Sequence, residues 1–193
     1  MRLFVLSRHA HSTLNLEGRV NGDPSVDVPL TDDGRAQARR LGEQLANMPL
    51  ELCVHTRFRR TRDTAEEILH GRDVPLHEEP LLDDIDVGEL EGVTVASYRA
   101  WKADHDRADR FPGGESLDEA ARRYGLAFRA LLERAEQAVL VVCHEIPIRY
   151  ALNAASGSDE LDGPVHAIPN ATPYLFDEHA LARAAQRLAK ITR

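Results

Sequence analysis

Three short stretches of this sequence set histidine beside arginine or glutamate, each directly after an apolar run. The first is Arg8-His9-Ala10-His11-Ser12, with Asn15 close behind. The second is His55-Thr56-Arg57-Phe58-Arg59-Arg60, and the third is His144-Glu145. These residue types suit phosphoryl transfer. Arginine presents a planar fork that pairs bidentately with phosphate oxygens and stays charged at physiological pH. A neutral imidazole attacks phosphorus and divides the displacement into two easier steps. Neighbouring cations such as Arg8 and Arg60 disfavour the imidazolium, and they also neutralise charge on the transferring group. A carboxylic acid must then protonate the leaving oxygen.

The elements that would position these groups can be read from periodicity. Apolar runs of strand length occupy residues 3–6, 50–54 and 138–143, with weaker ones at 74–77 and 173–176. The opening run from Met1 to Ser7 is too short for a signal-peptide core and reads as a first strand. Helical spacing fills the intervals. Thr31 is a good N-cap for a helix bearing Ala36, Leu41, Leu45 and Met48 on one face; residues 61–69 form a second helix. Ser116 and Glu119 make a capping-box pattern at the head of a third, over 116–135. Pro147 suits the first turn of another, and residues 180–191 read as helical. Strands alternating with helices predict one α/β domain over residues 1–193, with a mostly parallel central sheet and helices on both faces. Ligands bind such sheets at the carboxyl ends of the strands, which is where all three stretches fall.

Composition sets the outer bounds. A chain of 193 residues with 42% hydrophobic and 29% charged residues is long enough for one sizeable core. A net charge of −8 argues against general binding to nucleic acid or an anionic membrane, and no apolar run is long enough to span a bilayer. A cytoplasmic protein is expected. Cys53 and Cys143 lie in apolar runs and read as buried free thiols.

The sequence resembles the histidine phosphatases, the phosphoglycerate mutase-like superfamily. Arg8, His9 and Asn15 match its opening Arg-His-Gly-Glu-Thr-x-x-Asn signature. Arg19-x-Asn21-Gly22 and Asp27-x-Pro29-Leu30-Thr31-x-x-Gly34-x-x-Gln37-Ala38 follow its second block. Further matches are Thr56-x-Phe58-x-Arg60-x-x-x-Thr64-Ala65, Leu82-Asp83-Asp84-Ile85 with Gly88-x-x-Glu91-Gly92, Pro112-Gly113-Gly114-Glu115-Ser116, Val141-Val142-Cys143-His144, and Asn170. The resemblance implies that His9 is a nucleophile that becomes phosphorylated. It implies that Arg8, Arg60 and His144 hold the phosphoryl oxygens with help from Asn15, and that Asp84 is the proton donor. It implies a phosphatase acting on a small phosphorylated metabolite, needing no metal or organic cofactor.

Departures from the family pattern mark where specificity could differ. Ala10, His11 and Ser12 replace Gly, Glu and Thr. Asp84 is one methylene shorter than the usual glutamate, with Asp83, Asp86 and Glu89 as rivals. Glu145 stands where glycine is usual, and could pair with Arg149, meet a basic group on the substrate, or weaken anion binding. Arg57 and Arg59 read as solvated charges at a helix entry; Trp101 and Phe111 flank a segment that caps the site or simply packs. Three competing readings follow from the same residues. A mutase is one, against which the short stretches around 101–111 and after 170 speak. A His9-x-His11 metal pair is another, and a non-catalytic phospho-ligand module the third. Oligomeric state is not legible.

Overall fold

The computed structural model describes residues 2–158 and 160–191, so Met1, at the head of the opening run, lies outside them. Among the described residues five strands form one sheet: β1 (Leu3–Arg8), β2 (Leu52–His55), β3 (Leu76–Glu78), β4 (Ala138–Cys143) and β5 (Pro173–Asp177). Their order is β3-β2-β4-β1-β5, parallel throughout except for β5, which runs antiparallel to β1. The helices are α1 (Thr13–Leu16), α2 (Asp32–Gln44), α3 (Arg59–Ile68), α4 (Val95–Ala103), α5 (Leu117–Glu133), α6 (Glu145–Ala155) and α7 (Glu178–Ile191). Two single-turn 3₁₀ segments lie at Pro80–Leu82 and Gly88–Leu90. The expected mostly parallel α/β sheet is what the chain forms.

β2 and β4 are buried at every position, and β1 at its four central ones, because each has helices on both sides; this is why they read as unbroken apolar runs. The period of two sorts their side chains between two cores. Phe4, Leu6, Val54, Val139 and Val141 face the side covered by α5, α6 and α7. Val5, Cys53, Leu140 and Val142 face the side covered by α2 and α3. Full burial of each such side chain contributes roughly 1.5–3 kcal/mol before chain entropy is counted. Both cysteines are buried and free, as expected.

Several boundaries moved for identifiable reasons. β3 starts at Leu76 rather than 74: Pro75 offers only its carbonyl, which accepts from Cys53 N at 2.9 Å. α3 starts at Arg59, two residues earlier than read, with Phe58 at its N-cap and no side-chain cap. α5 carries the expected capping box between Ser116 and Glu119. α7 follows β5 without a break, where the Asp177 carboxylate accepts from Ala180 N at 2.6 Å. α1 and α4 were not legible. α1 is a single turn closed by Ser12 and Asn15, and α4 buries none of its residues fully, so neither leaves an apolar stripe.

Register is what matters for function. Arg8 pairs with Cys143, and His55 with Val142. His9 and His144 are therefore the next residues on adjacent strands, and His9 N donates to Cys143 O at 2.9 Å. The loop after β1 is fixed by close packing: a Cβ on Gly34 in the first turn of α2 would lie 2.0 Å from His11 O. Gly34→Ala should cost about 1–3 kcal/mol of stability, as overpacking does. Denaturant unfolding reads this directly, and an unchanged midpoint would mean the loop does not depend on that contact.

Candidate functional site

Arg60, on the first turn of α3, is the centre of the site and is only 4% exposed. Its Nε donates to His9 Nε2 at 3.1 Å, and its Nη2 contacts His144 Nδ1 at 3.2 Å and Asp84 Oδ2 at 3.1 Å. The same Nη2 donates to Asn21 O at 3.1 Å, and Nη1 to Asn21 Oδ1. Phe58 lies under the guanidinium, 4.2 Å from its carbon to the ring centre. Burial pushes the Arg60 pKa down to about 10, which still leaves it charged at neutral pH.

The tautomers of both histidines follow from their partners. His9 Nδ1 lies 2.8 Å from Ala10 O, a group that only accepts, so Nδ1 carries the proton and Nε2 keeps its lone pair. By the same logic, Arg60 donates to His144 Nδ1, and His144 Nε2 donates to Thr56 Oγ1 at 3.0 Å. Burial is the largest cause holding both imidazoles well below their ordinary pKa. For His9 the cations Arg60 and Arg8, the cause legible in the sequence, act in the same direction but less strongly than burial.

The backbone around His9 is clamped on both sides. Asn170 Nδ2 donates to His9 O at 2.8 Å, and Ala171 N to Arg8 O at 3.0 Å. Ala171 has a φ of 47°, a left-handed conformation that costs a non-glycine residue energy and is held here by the turn into β5. Ala10 N donates to Thr64 Oγ1 at 2.9 Å, which ties the loop to α3.

Among the four rival carboxylates, geometry separates Asp84 from Asp83. Asp83 points away, accepting from Arg57 N at 3.0 Å and Arg57 Nε at 2.6 Å, while Asp84 faces Arg60 and His144. Arg57 and Arg59 are exposed charges at the entry to α3, as read from the sequence, and each also pairs with carboxylates: Arg57 with Asp83, Arg59 with Asp27 and Asp63. Asp86 and Glu89 do not line the cavity described below. Burial raises the Asp84 pKa, against the opposing pull of Arg60. The segment that carries it is held by Arg123 of α5, whose Nη1 donates to the carbonyls of Leu81 and Asp83 at 3.0 and 2.9 Å. Its Nη2 reaches Asp84 O at 3.2 Å and Glu115 Oε1 at 2.5 Å.

These groups meet at a cavity of about 420 Å³. Arg8, His9, Asn15, Arg60 and Asp84 all line it; His144, fully buried, stands behind Arg60. Asn15 divides its side chain, since its Oδ1 accepts from Ser12 N at 3.1 Å. Arg8 Nη1 donates to Ile168 O and contacts Glu145 Oε2, each at 2.8 Å. Away from His9 the wall is built by Tyr98, Arg99 and Lys102 of α4, by Arg149 of α6 and by His166. No substrate role for these five is legible in the sequence, because nothing in the local pattern links 98–102 to 149 and 166. Asn21, Thr56 and Arg123 stood in matched or helical segments without a role, and only their contacts reveal one. Trp101 and Phe111 pack against each other at 4.2 Å between ring centres. The His9 and His11 rings do not share surroundings: His11 Nδ1 faces Thr31 Oγ1 at 3.3 Å, whereas His9 faces Arg60. Among the described residues no three His, Cys, Asp or Glu side chains gather as a metal site, and no helix is long and apolar enough to cross a membrane.

Two buried neutral imidazoles make folding pH-dependent. Their folded pKa values lie below the unfolded value of about 6.5, so their contribution is complete above that pH. It is lost as the pH falls below it, where the unfolded chain takes up protons that the folded one refuses. Unfolding free energy measured in urea should therefore drop between pH 7.5 and 5.5. A flat profile would contradict the buried neutral assignment.

The profile of the histidine phosphatase superfamily (branch 1) matches residues 4–189. Among curated proteins, 2,3-bisphosphoglycerate-dependent phosphoglycerate mutase 2 of Gloeobacter violaceus is 38% identical over 135 residues, 64% of this chain and 60% of that one. Phosphoserine phosphatase 1 of Hydrogenobacter thermophilus is 30% identical over 164 residues, 80% of this chain and 76% of that one. The chain thus spans about three fifths of the mutase. Among solved structures, YhfR of Bacillus stearothermophilus superposes with a TM-score of 0.80 at 25% identity, covering 91% of this chain and 90% of that one.

Proposed function

We propose that this chain, which belongs to the histidine phosphatase superfamily (branch 1), hydrolyses a phosphomonoester of a small metabolite through a phosphohistidine at His9. The observation that carries the reading is the contact of Arg60 Nε with His9 Nε2, opposite Asp84 on the same guanidinium. It sets a lone pair and a carboxyl group on one phosphate-binding fork, each 3.1 Å from a guanidinium nitrogen. Domain membership alone would give no such geometry.

In this scheme the phosphoryl group enters between His9 and Arg60, replacing Nε2 as the acceptor of the Arg60 hydrogen bond. Arg8 at the end of β1 and Asn15 of α1 meet it, and His144 supports it from behind Arg60. His9 Nε2 forms a bond to phosphorus as the ester P–O bond breaks. Asp84, whose pKa burial raises, gives its proton to the leaving oxygen. Water then attacks the phosphohistidine, with the Asp84 carboxylate taking the proton, and orthophosphate leaves. The cavity wall supports a small polyanionic substrate: it carries six cationic side chains against two carboxylates, in a chain whose net charge is −8. The phosphatase relative lends weight to hydrolysis, and the mutase relative favours isomerisation as the second reading.

Incubation with 3-phosphoglycerate and a trace of 2,3-bisphosphoglycerate separates the two: hydrolysis liberates orthophosphate, whereas a mutase yields the 2-isomer. His9→Ala should lower phosphate release by roughly 10³-fold or more, as loss of a nucleophile does. Binding of p-nitrophenyl phosphate without release by the native protein would instead mark a non-catalytic module.

The acid assignment has its own signature. Asp84→Asn should cut kcat/KM for an alkyl phosphate, which reports the first transfer and not the later hydrolysis, by about 10²–10⁴-fold, the range for general acids. With p-nitrophenyl phosphate, whose leaving group needs no proton, the loss in kcat/KM should be far smaller. In the native protein kcat/KM should fall as pH rises through the elevated Asp84 pKa, and that alkaline limb should vanish in the variant. Equal losses with both substrates would remove Asp84 from the acid role.

A further inference from the structure

Each phosphate-facing arginine has a carboxylate beside it: Asp84 on Arg60, and Glu145 on Arg8. The scheme uses the first and leaves the second without a task. Glu145 is the first residue of α6, directly after His144, and its side chain lines the cavity. Its Oε2 lies 2.8 Å from Arg8 Nη1 and its Oε1 3.5 Å from Arg149 Nη1. Arg149 is held elsewhere, donating to Asp162 Oδ1 at 2.6 Å and to His166 O at 3.3 Å, so Arg8 is the closer claim on Glu145. Arg8, for its part, spends Nη1 on Glu145 and Ile168 O, and its Nε is buried with no partner among the described residues. A guanidinium so placed is aimed at the cavity and already neutralised there.

We propose that Glu145 competes with the phosphoryl group for Arg8, weakening the hold of the pocket on free orthophosphate and so speeding product release. The inference rests on the phosphatase reading of this site. A phosphoryl dianion reaching Arg8 either displaces the carboxylate or lies beside it, and both arrangements cost binding, through a lost ion pair or through like-charge repulsion. An ester offsets that cost by contacts between its organic part and the far wall at Arg99 and Lys102. Once the alcohol has gone, orthophosphate has no such contacts. The carboxylate thus discriminates against the product while leaving the substrate anchored.

Titration calorimetry with sodium orthophosphate at fixed pH and ionic strength tests this without requiring turnover. Glu145→Gln and Glu145→Gly should each bind orthophosphate about tenfold more tightly than the native protein, or ~1.4 kcal/mol. The gain should disappear when Glu145→Gln is made in an Arg8→Gln background, which a merely structural role would not produce. The Glu145 side chain is partly exposed at the start of α6, so its replacement leaves no buried void, and thermal unfolding of each variant checks folding. Equal or weaker binding in both single variants, or the same gain without Arg8, would overturn the proposal. Absence of phosphate release by the native protein, together with tighter binding in the variants, would instead sink the phosphatase reading and the role in product release with it, leaving only the competition of Glu145 for Arg8.

Discussion

The arrangement of this site depends on one buried cation. Arg60 reaches His9, His144, Asn21 and Asp84 with a single guanidinium, and desolvating it is costly enough to push its pKa down to about 10. A buried charge is tolerated only when its surroundings are tailored to it. Here that requirement orders nearly everything near the cavity. It reinforces the burial that keeps the two imidazoles neutral, draws the Asp84 carboxylate inward, and fixes Asn21, which in turn binds Glu91. Removing Arg60 would leave these groups facing one another without the charge that reconciles them.

The sheet supplies the precision. Parallel register between β1 and β4 makes His9 and His144 neighbours although 135 positions apart in sequence, and β2 beside β4 delivers Thr56 to His144. The flanking elements then fix what the strands leave loose. The turn into β5 holds the carbonyls of Arg8 and His9, with Ala171 in an unfavourable conformation. α5 holds the Asp84 segment through Arg123. Rigid support of this kind is what a two-step displacement needs, since both the nucleophile and the acid must meet the same small group in turn.

Electrostatics divides the cavity into two regions. Near His9 the cations are matched by Asp84 and Glu145, so charge is nearly balanced before a ligand enters. Toward α4, Arg99 and Lys102 bring further positive charge, and burial lowers the Lys102 pKa, with Asp162 as a distant counter-ion at 3.9 Å. A wall of this composition concentrates positive charge inside a chain that is acidic as a whole, which is what the proposed binding of a phosphorylated metabolite requires.

The sequence by itself determined the strands, the main helices and the residues around His9, Arg60 and His144. Unbroken apolar runs have few alternatives to a doubly covered parallel sheet, and ligands of such sheets gather at known strand ends. It also singled out Asp84 by position, yet could not separate it from Asp83, because adjacent residues in a loop differ only in the direction each side chain takes. Only the tertiary structure decided that Asp83 turns to Arg57 and Asp84 to Arg60. Likewise, only folding brought Tyr98, Lys102 and Arg149 to one wall, and only it showed that burial outweighs neighbouring cations in setting the His9 pKa. Desolvation depends on every atom that excludes water from a site, and those atoms come from segments that share no pattern along the chain.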